Sequence, residues 1–264
     1  MMDLGLAGKR VLVTGASRGI GLATVQAFLA EGASVTAVSR RSTPELEATG
    51  ATFLAADLST PDGPVRVVES ALANDPRLDV LVNNAGGGVL PDGVLADPFG
   101  GDDDVWEHAL ALNFFSAVRT TRAALPALTT ARGSVVNVGS DSALMPHRAP
   151  LSYSTAKAAI NAFSRGLAEQ VGGAGVRINV VTPGATRTSL LTGADGVTGQ
   201  VAAAMGVSHA AVLEGFPEQN GMVTGRLIEP SEIARVIVLL SSPTLPSAVG
   251  SNWALHGGSL KAPA

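Results

Sequence analysis

Short segments that are apolar on both faces alternate with segments of helical periodicity along most of the 264-residue chain. A strand that is apolar on both faces has to be covered on both sides, so such strands belong to a parallel sheet between two layers of helices. The crossover connections of such a sheet are right-handed, which leaves few topologies. This alternation restricts the chain to the α/β class more strongly than any other feature of the sequence.

Apolar periodicity and turn residues predict the limits of the elements. Strands are predicted at residues 10–14, 34–38, 52–55, 80–82, 134–138, 176–181 and 252–255. Helices are predicted at residues 19–31, 105–125, 152–171 and 231–240, where Pro126 ends the second and Pro230 with Ser231 begins the last. This order predicts a doubly wound Rossmann-type parallel sheet of about seven strands with helices on both faces. The length predicts that residues 1–264 form a single domain.

Two long segments interrupt the alternation. Residues 86–104 are rich in Gly, Pro and Asp, which predicts a surface loop. Residues 185–226 contain only weak helical stretches, around 200–205 and 210–213. Long insertions in a compact domain usually serve function, and both segments follow strands at the edge where such sheets bind ligands. We therefore predict that residues 185–226 form a lid over a substrate.

The composition excludes several classes of function. The chain has 18 Lys and Arg against 22 Asp and Glu residues, a net charge of −4, and no basic cluster, so no nucleic-acid partner is expected. The absence of cysteine excludes disulfides and thiolate catalysis, and the four histidines show no metal-ligand spacing. Because the sequence shows neither a signal peptide nor a run of about 20 apolar residues, we expect a cytoplasmic protein without a membrane span or a metal site.

A glycine-rich turn follows the first predicted strand and opens the first predicted helix. Its sequence is Thr14-Gly15-Ala16-Ser17-Arg18-Gly19-Ile20-Gly21. Gly15 permits a sharp exit from the strand, Gly19 lets the backbone approach a pyrophosphate, and Gly21 permits close packing of helix on strand. Free N–H groups and the helix dipole favour an anion here. The turn predicts a dinucleotide site formed by Gly15, Ser17, Arg18, Gly19, Ile20 and Gly21.

The end of the second predicted strand indicates which dinucleotide is bound. An acidic residue at this point usually holds the ribose hydroxyls of NAD, whereas arginine accommodates the 2′-phosphate of NADP. Here the strand ends with Ser39 and Arg40, and Arg18 lies in the glycine turn. Two cations without a carboxylate favour NADP(H) over NAD(H).

Tyr153 and Lys157 lie one turn apart at the start of the third predicted helix, so they share one helix face. A phenol has an ordinary pKa of about 10, which is too high for good acid–base catalysis near neutrality. A nearby ammonium stabilises the phenolate and lowers that pKa. The pair therefore suits proton exchange with a carbonyl oxygen.

Further residues occur in a fixed order around these two features. They are Asp57-Leu58, Asn83-Asn84-Ala85-Gly86, Asn113, Ser140, Pro183-Gly184 and Gly257-Gly258. With the glycine turn and the Tyr-x3-Lys pair, their order and spacing resemble those of the short-chain dehydrogenase/reductase family across essentially the whole chain. The resemblance implies the same Rossmann-type fold and an NAD(P)-dependent oxidoreductase.

The resemblance also implies residue roles. Tyr153 is the general acid in reduction and the base in oxidation, Lys157 lowers its pKa and binds the nicotinamide ribose, and Ser140 hydrogen-bonds the substrate oxygen. Asn113 is placed where the family holds a water of a proton relay. The further cofactor contacts that it implies are Asp57 at the adenine amino group, Leu58, Asn83, Ala85, Gly86, Pro183, Gly184, and Thr188 at the carboxamide.

Some residues keep an alternative interpretation. Asn83 is equally well explained as a structural tie between strands. Asp57 also suits a turn or cap, and Ser142 also suits a bond to the local backbone. The acidic run at residues 102–104 is read as a solvated loop with a helix N-cap rather than as a cation site.

The hypothesis is an NADP(H)-dependent oxidoreductase that interconverts a ketone or aldehyde and an alcohol by hydride transfer, with Tyr153 as general acid and base. One alternative is a 3-oxoacyl-thioester (acyl-carrier-protein) reductase, for which Arg119, Arg122 and Arg148 are candidate carrier contacts. Another is a non-catalytic NADP(H)-binding regulator. Apolar residues of the predicted lid suggest a medium-sized hydrophobic substrate, and the family implies a homotetramer or homodimer.

Overall fold

A computed structural model describes residues 3–87 and 99–261. Within these residues, one parallel sheet has the strands β1 (Arg10–Thr14), β2 (Ser34–Ser39), β3 (Thr52–Ala55), β4 (Val80–Asn83), β5 (Ser134–Val138), β6 (Arg177–Pro183) and β7 (Asn252–Leu255). Their order in the sheet is β3-β2-β1-β4-β5-β6-β7, and every pair is parallel. The prediction of a doubly wound Rossmann-type sheet is confirmed.

Helices cover both faces of the sheet. They are α1 (Gly19–Ala30), α2 (Pro44–Glu47), α3 (Gly63–Leu72), α4 (Asp103–Leu110), α5 (Ser116–Ala131), α6 (Leu151–Val171), α7 (Ser189–Thr192), α8 (Val197–Met205), α9 (His209–Gln219) and α10 (Pro230–Ser241). On one face, α1 packs against α10 around the buried side chains of Phe28, Ile233 and Ile237. On the other face, Leu81 and Leu128 belong to a second core cluster.

The strand order reverses between β1 and β4, because the chain adds β2 and β3 on one side of β1 and β4 to β7 on the other. Loops that leave neighbouring strands at such a point diverge and leave a crevice at the carboxyl edge. The glycine turn follows β1, and residues 84–87 follow β4. The fold therefore positions both segments at this crevice.

The helix predicted at residues 105–125 is wrong in two respects. The chain forms α4, then a π-helical turn at Ala111–Phe115, and then α5, which continues past Pro126 to Ala131. Proline removes one helical hydrogen bond, but Ala127 and Leu128 beyond it are buried against the core, and this burial favours continuation.

The sequence does not predict helices α2, α3 and α7. Helix α3 begins with Gly63 and Pro64, which suggest a turn, yet Val67 and Val68 on its inner face are buried. Tertiary packing thus decides a segment with weak local preference. The loop predicted at residues 86–104 lies mostly outside the described residues, and the part from residue 103 onward begins α4.

The segment at residues 185–226 contains α7, α8 and α9, so it is more helical than its sequence indicates. Thr198 is buried and joins these helices: its Oγ1 donates to Leu191 O at 2.6 Å, and the Nε2 of His209 lies 2.9 Å from it. Among the described residues, no single helix is long and apolar enough to cross a membrane; Ser189–Met205 with His209–Gln219 meets those criteria only as a pair bent by 105°.

Candidate active site

The four predicted catalytic residues come from three elements that meet at the carboxyl edge. Ser140 follows β5, Tyr153 and Lys157 lie in the first two turns of α6, and Asn113 lies in the π-helical turn. Helix α6 packs against the short 3₁₀ turn after Ser140 and against the π-helical turn. The structure thus brings all four residues into one region.

The Lys157 side chain is buried, and its Nζ donates to the carbonyl oxygen of Val138 at 2.9 Å. Nζ lies 5.8 Å from the centre of the Tyr153 ring. A Cβ atom added to Gly86 would come within 3.2 Å of Nζ and 2.9 Å of Asn113 Oδ1. Glycine at residue 86 therefore keeps the space above these two polar groups open.

Asn113 is buried, and the backbone occupies its side-chain amide. Oδ1 accepts from Gly87 N at 2.9 Å, while Nδ2 donates to Gly87 O at 2.9 Å and to Ala109 O at 3.0 Å. These bonds connect the π-helical turn to the segment after β4. They join residues that are 26 positions apart, so the sequence pattern alone does not reveal them.

Ser140 forms a hydroxyl pair with Ser142. The Ser142 hydroxyl donates to Ser140 Oγ at 2.9 Å, and the Ser142 backbone N–H donates to the same oxygen at 3.2 Å. Ser140 also hydrogen-bonds Tyr153. Ser142 therefore bonds the predicted catalytic hydroxyl itself and leaves the Ser140 proton to be donated elsewhere.

Burial dominates the acid–base properties of the pair. It raises the pKa of Tyr153 to about 12; the nearby negative charge of Asp141 acts in the same direction, and the hydrogen bond from Ser140 acts against both. Burial lowers the pKa of Lys157 to about 8. The Lys157 ammonium donates its hydrogen bond to the carbonyl oxygen of Val138 rather than to the Tyr153 phenol.

The glycine turn has the geometry that its sequence predicts. Gly15 and Gly19 have positive φ angles of 65° and 57°. A Cβ at Gly15 would come within 2.8 Å of Ala85 Cα, and one at Gly21 would collide with the carbonyl oxygen of Gly15. The turn therefore brings β1, α1 and the segment after β4 closer together than any larger residue permits.

Asn84, the second residue of the Asn83-Asn84-Ala85-Gly86 motif, holds this turn in place. Its Nδ2 donates to Thr14 O at 3.0 Å and to Gly15 O at 3.1 Å. In return, Thr14 Oγ1 accepts from the backbone N–H groups of Asn84 and Ala85 at 3.0 and 2.9 Å. Because Asn84 and Thr14 are 70 positions apart, the sequence pattern alone does not reveal this role.

The start of the predicted lid lies over the turn. A Cβ added to Gly19 would meet the Thr188 methyl group at 3.0 Å. Pro183 ends β6, and the Gly184 N–H donates to Leu255 O at 2.7 Å. A cavity of about 430 Å³ opens beside the turn and is lined by Arg18, Gly19, Leu22, Ala23, Gln26, Arg187, Thr188, Ser189, Pro230 and Ser231; the catalytic side chains are not part of its lining.

The predicted 2′-phosphate region carries exposed cations. Arg18 and Arg40 are both exposed, and Ser39 donates to the backbone oxygen of Arg41 at 2.7 Å. Asp57 accepts from the Ser59 hydroxyl at 2.7 Å and from its N–H at 2.9 Å; these bonds, together with the charge of Arg40, lower the pKa of Asp57. Asp57 is thus a turn residue here, while its remaining oxygen is available for another donor.

Two other predicted cofactor contacts have buried side chains. Leu58 is part of the core. Asn83 Nδ2 donates to Thr121 Oγ1 at 2.9 Å and to Asn137 Oδ1 at 2.8 Å. The Asn83 side chain therefore ties β4 to β5 and α5, as its alternative interpretation predicts. Leu58 and Asn83 can contact a cofactor only through their backbones.

The residues at the crevice fit a dinucleotide. Arg18 at the N-cap of α1 is extended and makes no side-chain cap, so the first N–H groups of α1 face the turn without a side-chain acceptor. Such a helix start suits a pyrophosphate. Gly15 lies against Ala85 and Gly86 lies against Lys157, so no bulky side chain stands between the turn and Lys157 at these positions, which suits an extended molecule.

Comparison with known proteins supports this interpretation. The family model described as short chain dehydrogenase matches residues 9–195. The 3-oxoacyl-(acyl-carrier-protein) reductase FabG of Vibrio harveyi is 32% identical over 97% of this chain and 98% of its own length. The 2,3-dihydro-2,3-dihydroxybenzoate dehydrogenase of Escherichia coli is 32% identical over 96% of this chain and 97% of its own.

A solved structure resembles the whole fold. L-sorbose reductase from Gluconobacter frateurii, in complex with NADPH and L-sorbose, superposes with a TM-score of 0.86 at 29% identity and covers 99% of this chain and 100% of its own. The likeness predicted from the motifs is confirmed, since the relatives are named oxidoreductases and the fold is shared throughout. The chain belongs to the short chain dehydrogenase family and is an oxidoreductase of that family.

Proposed function

We propose that the protein is an NADP(H)-dependent oxidoreductase that interconverts a ketone or aldehyde and an alcohol. The observation that carries the proposal is the convergence of Ser140, Tyr153 and Lys157 at the end of the crevice that begins at the glycine turn. A regulator that only binds the cofactor does not need this hydroxyl, phenol and ammonium together.

The side chains divide the proton chemistry among them. Tyr153 Oη donates its proton to the substrate oxygen in reduction and accepts it in oxidation. Ser140 orients that oxygen, because the Ser142 donors leave its own proton available. The bound nicotinamide supplies or accepts the hydride and adds positive charge in its oxidised form. The Asn113 side-chain amide is bound to Gly87, so the proposed part of Asn113 in a proton relay has to come from its backbone.

The phenol needs a lower pKa than burial alone allows. In the chain by itself the pKa of Tyr153 is raised to about 12, so positive charge must enter its surroundings for catalysis near neutrality. The Lys157 ammonium is already present in that state, with its Nζ 5.8 Å from the ring centre, so we infer that it lowers the pKa of the phenol only together with a further positive charge. Its bond to Val138 keeps the ammonium on the crevice side of α6.

NADP(H) is proposed over NAD(H) because Arg18 and Arg40 are exposed at the ribose end of the crevice and the strand ends in Ser39 instead of an acid. The NADPH bound to L-sorbose reductase supports the same choice. Arg18→Ala with Arg40→Ala is expected to raise KM for NADPH at least about tenfold while KM for NADH changes little. Equal effects on both cofactors contradict the choice.

Tyr153→Phe tests the mechanism. The variant keeps the ring and loses the proton, so we expect turnover of a carbonyl panel with NADPH to fall by about 100-fold or more. NADPH binding, measured by fluorescence, is expected to persist. Near-normal turnover by the variant contradicts the assignment, and cofactor binding without turnover by the unchanged protein favours the regulator.

A second candidate is 3-oxoacyl-thioester reduction, which the likeness to the Vibrio harveyi reductase favours. Two of the three arginines named for a carrier contact are engaged elsewhere: Arg119 lies over the Phe115 ring at 5.1 Å, and Arg148 acts on Asp141. A steady-state assay that compares acetoacetyl thioesters with simple ketones separates the two candidates.

Assembly and location remain proposals. We propose that the protein forms a homotetramer or homodimer, because α6 carries the exposed small residues Ala158 and Ala162, which suit close packing of a helix on a partner. We also propose that it acts in the cytoplasm on a small molecule. Light scattering that finds only monomer rules out this assembly.

A further inference from the structure

Asp141 directly follows the catalytic Ser140 and begins the short 3₁₀ turn at Asp141–Ala143. Its side chain is half-buried. Its Oδ2 lies 3.3 Å from the point where a Cβ of Gly184 would be, and the same point is 2.7 Å from His256 Cα. The carboxylate therefore lies between the end of β5 and the base of the lid segment, inside the region that holds the reacting groups.

Few groups satisfy this carboxylate. Within the described parts of the chain, no side chain donates a hydrogen bond to it, and its hydrogen-bonding support comes from the backbone amides of Ser142 and Asp141 itself. Arg148 and His256 act on it by charge alone. Partial burial outweighs these effects and raises the pKa of the carboxyl group. Because the carboxylate is only half-buried and no side chain of the described residues binds it, it is open to a donor that enters the site.

The proton chemistry does not explain the residue. The negative charge of Asp141 raises the pKa of Tyr153, which opposes formation of the phenolate. Asp141 thus opposes the general acid–base group and, in the described parts of the chain, forms no side-chain hydrogen bond, so a role in substrate binding is the one that we test.

We propose that Asp141 is a specificity-determining residue whose carboxylate accepts a hydrogen bond from a hydroxyl group on the carbon next to the reacting carbon. The inference rests on the proposed function and narrows its substrate class to hydroxyketones and the matching vicinal diols. Ser140 and Tyr153 hold the reacting oxygen, and Asp141, the residue next to Ser140, holds the neighbouring one.

The surrounding charges select a neutral donor. A substrate carbonyl, carboxylate or phosphate oxygen at this position would face an acceptor and gain no hydrogen bond. A substrate ammonium would face the guanidinium of Arg148 as well as the carboxylate, so its net attraction is reduced. A hydroxyl donates one hydrogen bond to the charged acceptor without bringing a charge, and such bonds are stronger than those between neutral groups.

A matched pair of ketones tests the inference. The measurement is kcat/KM with NADPH for 2-hydroxycyclohexanone and for cyclohexanone, in the unchanged protein, in Asp141→Leu and in Asp141→Asn. The ratio of hydroxyketone to ketone is expected to fall about 10- to 100-fold in Asp141→Leu, which has a similar shape without an acceptor, and less in Asp141→Asn, which keeps an acceptor oxygen. Asp62→Leu, at an exposed acid before α3 and outside the site, is the matched control and leaves the ratio unchanged.

Binding measurements separate this inference from the proposed function. Thermal shifts of the NADP⁺-loaded protein with cyclohexane-1,2-diol and with cyclohexanol need no turnover. A preference for the diol that Asp141→Leu abolishes supports the role of Asp141 even if neither ketone is reduced, in which case only the proposed function fails. An unchanged ratio in Asp141→Leu, equal losses on both ketones, or no preference for the diol overturns the inference.

Discussion

Lys157 is one of three lysines in the chain, and it is the one whose charge the fold penalises. Burial lowers its pKa from 10.5 to about 8, so the charged form is disfavoured in the folded state. Its one hydrogen bond, to Val138 O, offsets only part of that cost. In the proposed mechanism, this unfavourable charge lies beside the phenol that exchanges the proton.

Lys157→Met is therefore expected to remove activity and raise stability. Below pH 8 the unchanged protein carries the full penalty, and the penalty disappears as the pH rises from about 8 to 10.5. At pH 7 the variant should be more stable by about 1–3 kcal/mol, since the lost bond to Val138 cancels part of the gain. Urea unfolding at pH 7 and pH 10 measures this, and the difference should shrink at pH 10.

Lys261 is exposed and supplies the control, because Lys261→Met should leave the free energy of unfolding unchanged at both pH 7 and pH 10. A Lys157→Met variant that is less stable than the unchanged protein at pH 7 would show that the buried charge is fully compensated.

At the scale of elements, Arg177 connects two parts of the fold that are distant in sequence. It begins β6, is 9% exposed, and donates to the backbone oxygens at the end of α10. Nη1 donates to Leu240 O at 2.8 Å, and Nη2 donates to Ser241 O and Ser242 O, both at 3.0 Å. The guanidinium thus supplies the donors that the last carbonyls of a helix lack and lies at the negative end of its dipole.

Arg177→Met keeps much of the apolar stem and removes these donors. We expect it to lower the free energy of unfolding by about 2–4 kcal/mol, because the buried carbonyls lose charged partners. Chemical denaturation measures the change. Arg165→Met removes an arginine whose side chain is 80% exposed, and it should cost less than about 0.5 kcal/mol. A similar small cost for both variants would refute the capping role.

At the scale of the whole molecule, catalysis and charge-based stability lie at opposite edges of the sheet. Asp79 precedes β4 at the edge away from the crevice and is 5% exposed. It accepts from Lys9 Nζ at 3.1 Å, Arg77 Nη2 at 2.9 Å and Arg10 N at 2.9 Å. Burial acts to raise the pKa of Asp79, but these hydrogen bonds outweigh burial and hold that pKa below its ordinary value of 3.8.

A carboxyl whose folded pKa is depressed stabilises the fold above its unfolded pKa, and that stability is lost as the pH falls through the folded value. Asp79→Asn should therefore cost about 1–3 kcal/mol at pH 7, and the difference from the unchanged protein should shrink as the pH falls below 3.8 towards the depressed folded pKa. Thermal unfolding from pH 7 to pH 3 tests this. Asp62→Asn, in the exposed pair with Arg66, should have little effect at any of these pH values.

Turnover should remain in Asp79→Asn at temperatures where it is folded, since its partners belong to the edge opposite the crevice. A loss of turnover in the folded variant would show that the two edges of the sheet are coupled.

The sequence by itself determined the alternation of strands and helices, the glycine turn and the pairing of Tyr153 with Lys157. Each depends on a local rule: residue period, backbone freedom at glycine, or helical spacing. For the same reason the strands were predicted almost to the residue, whereas α3 and the continuation past Pro126 were not, because burial against distant residues decides them.

Only the tertiary structure decided how the side chains are used. Asn84 holds a turn 70 positions away, Asn113 is bound to Gly87, and Thr188 lies over Gly19. The pKa values of Tyr153 and Lys157 likewise depend on burial by the whole fold. Spacing along a chain reveals which groups are present, but desolvation and long-range hydrogen bonds depend on which segments the sheet order brings together.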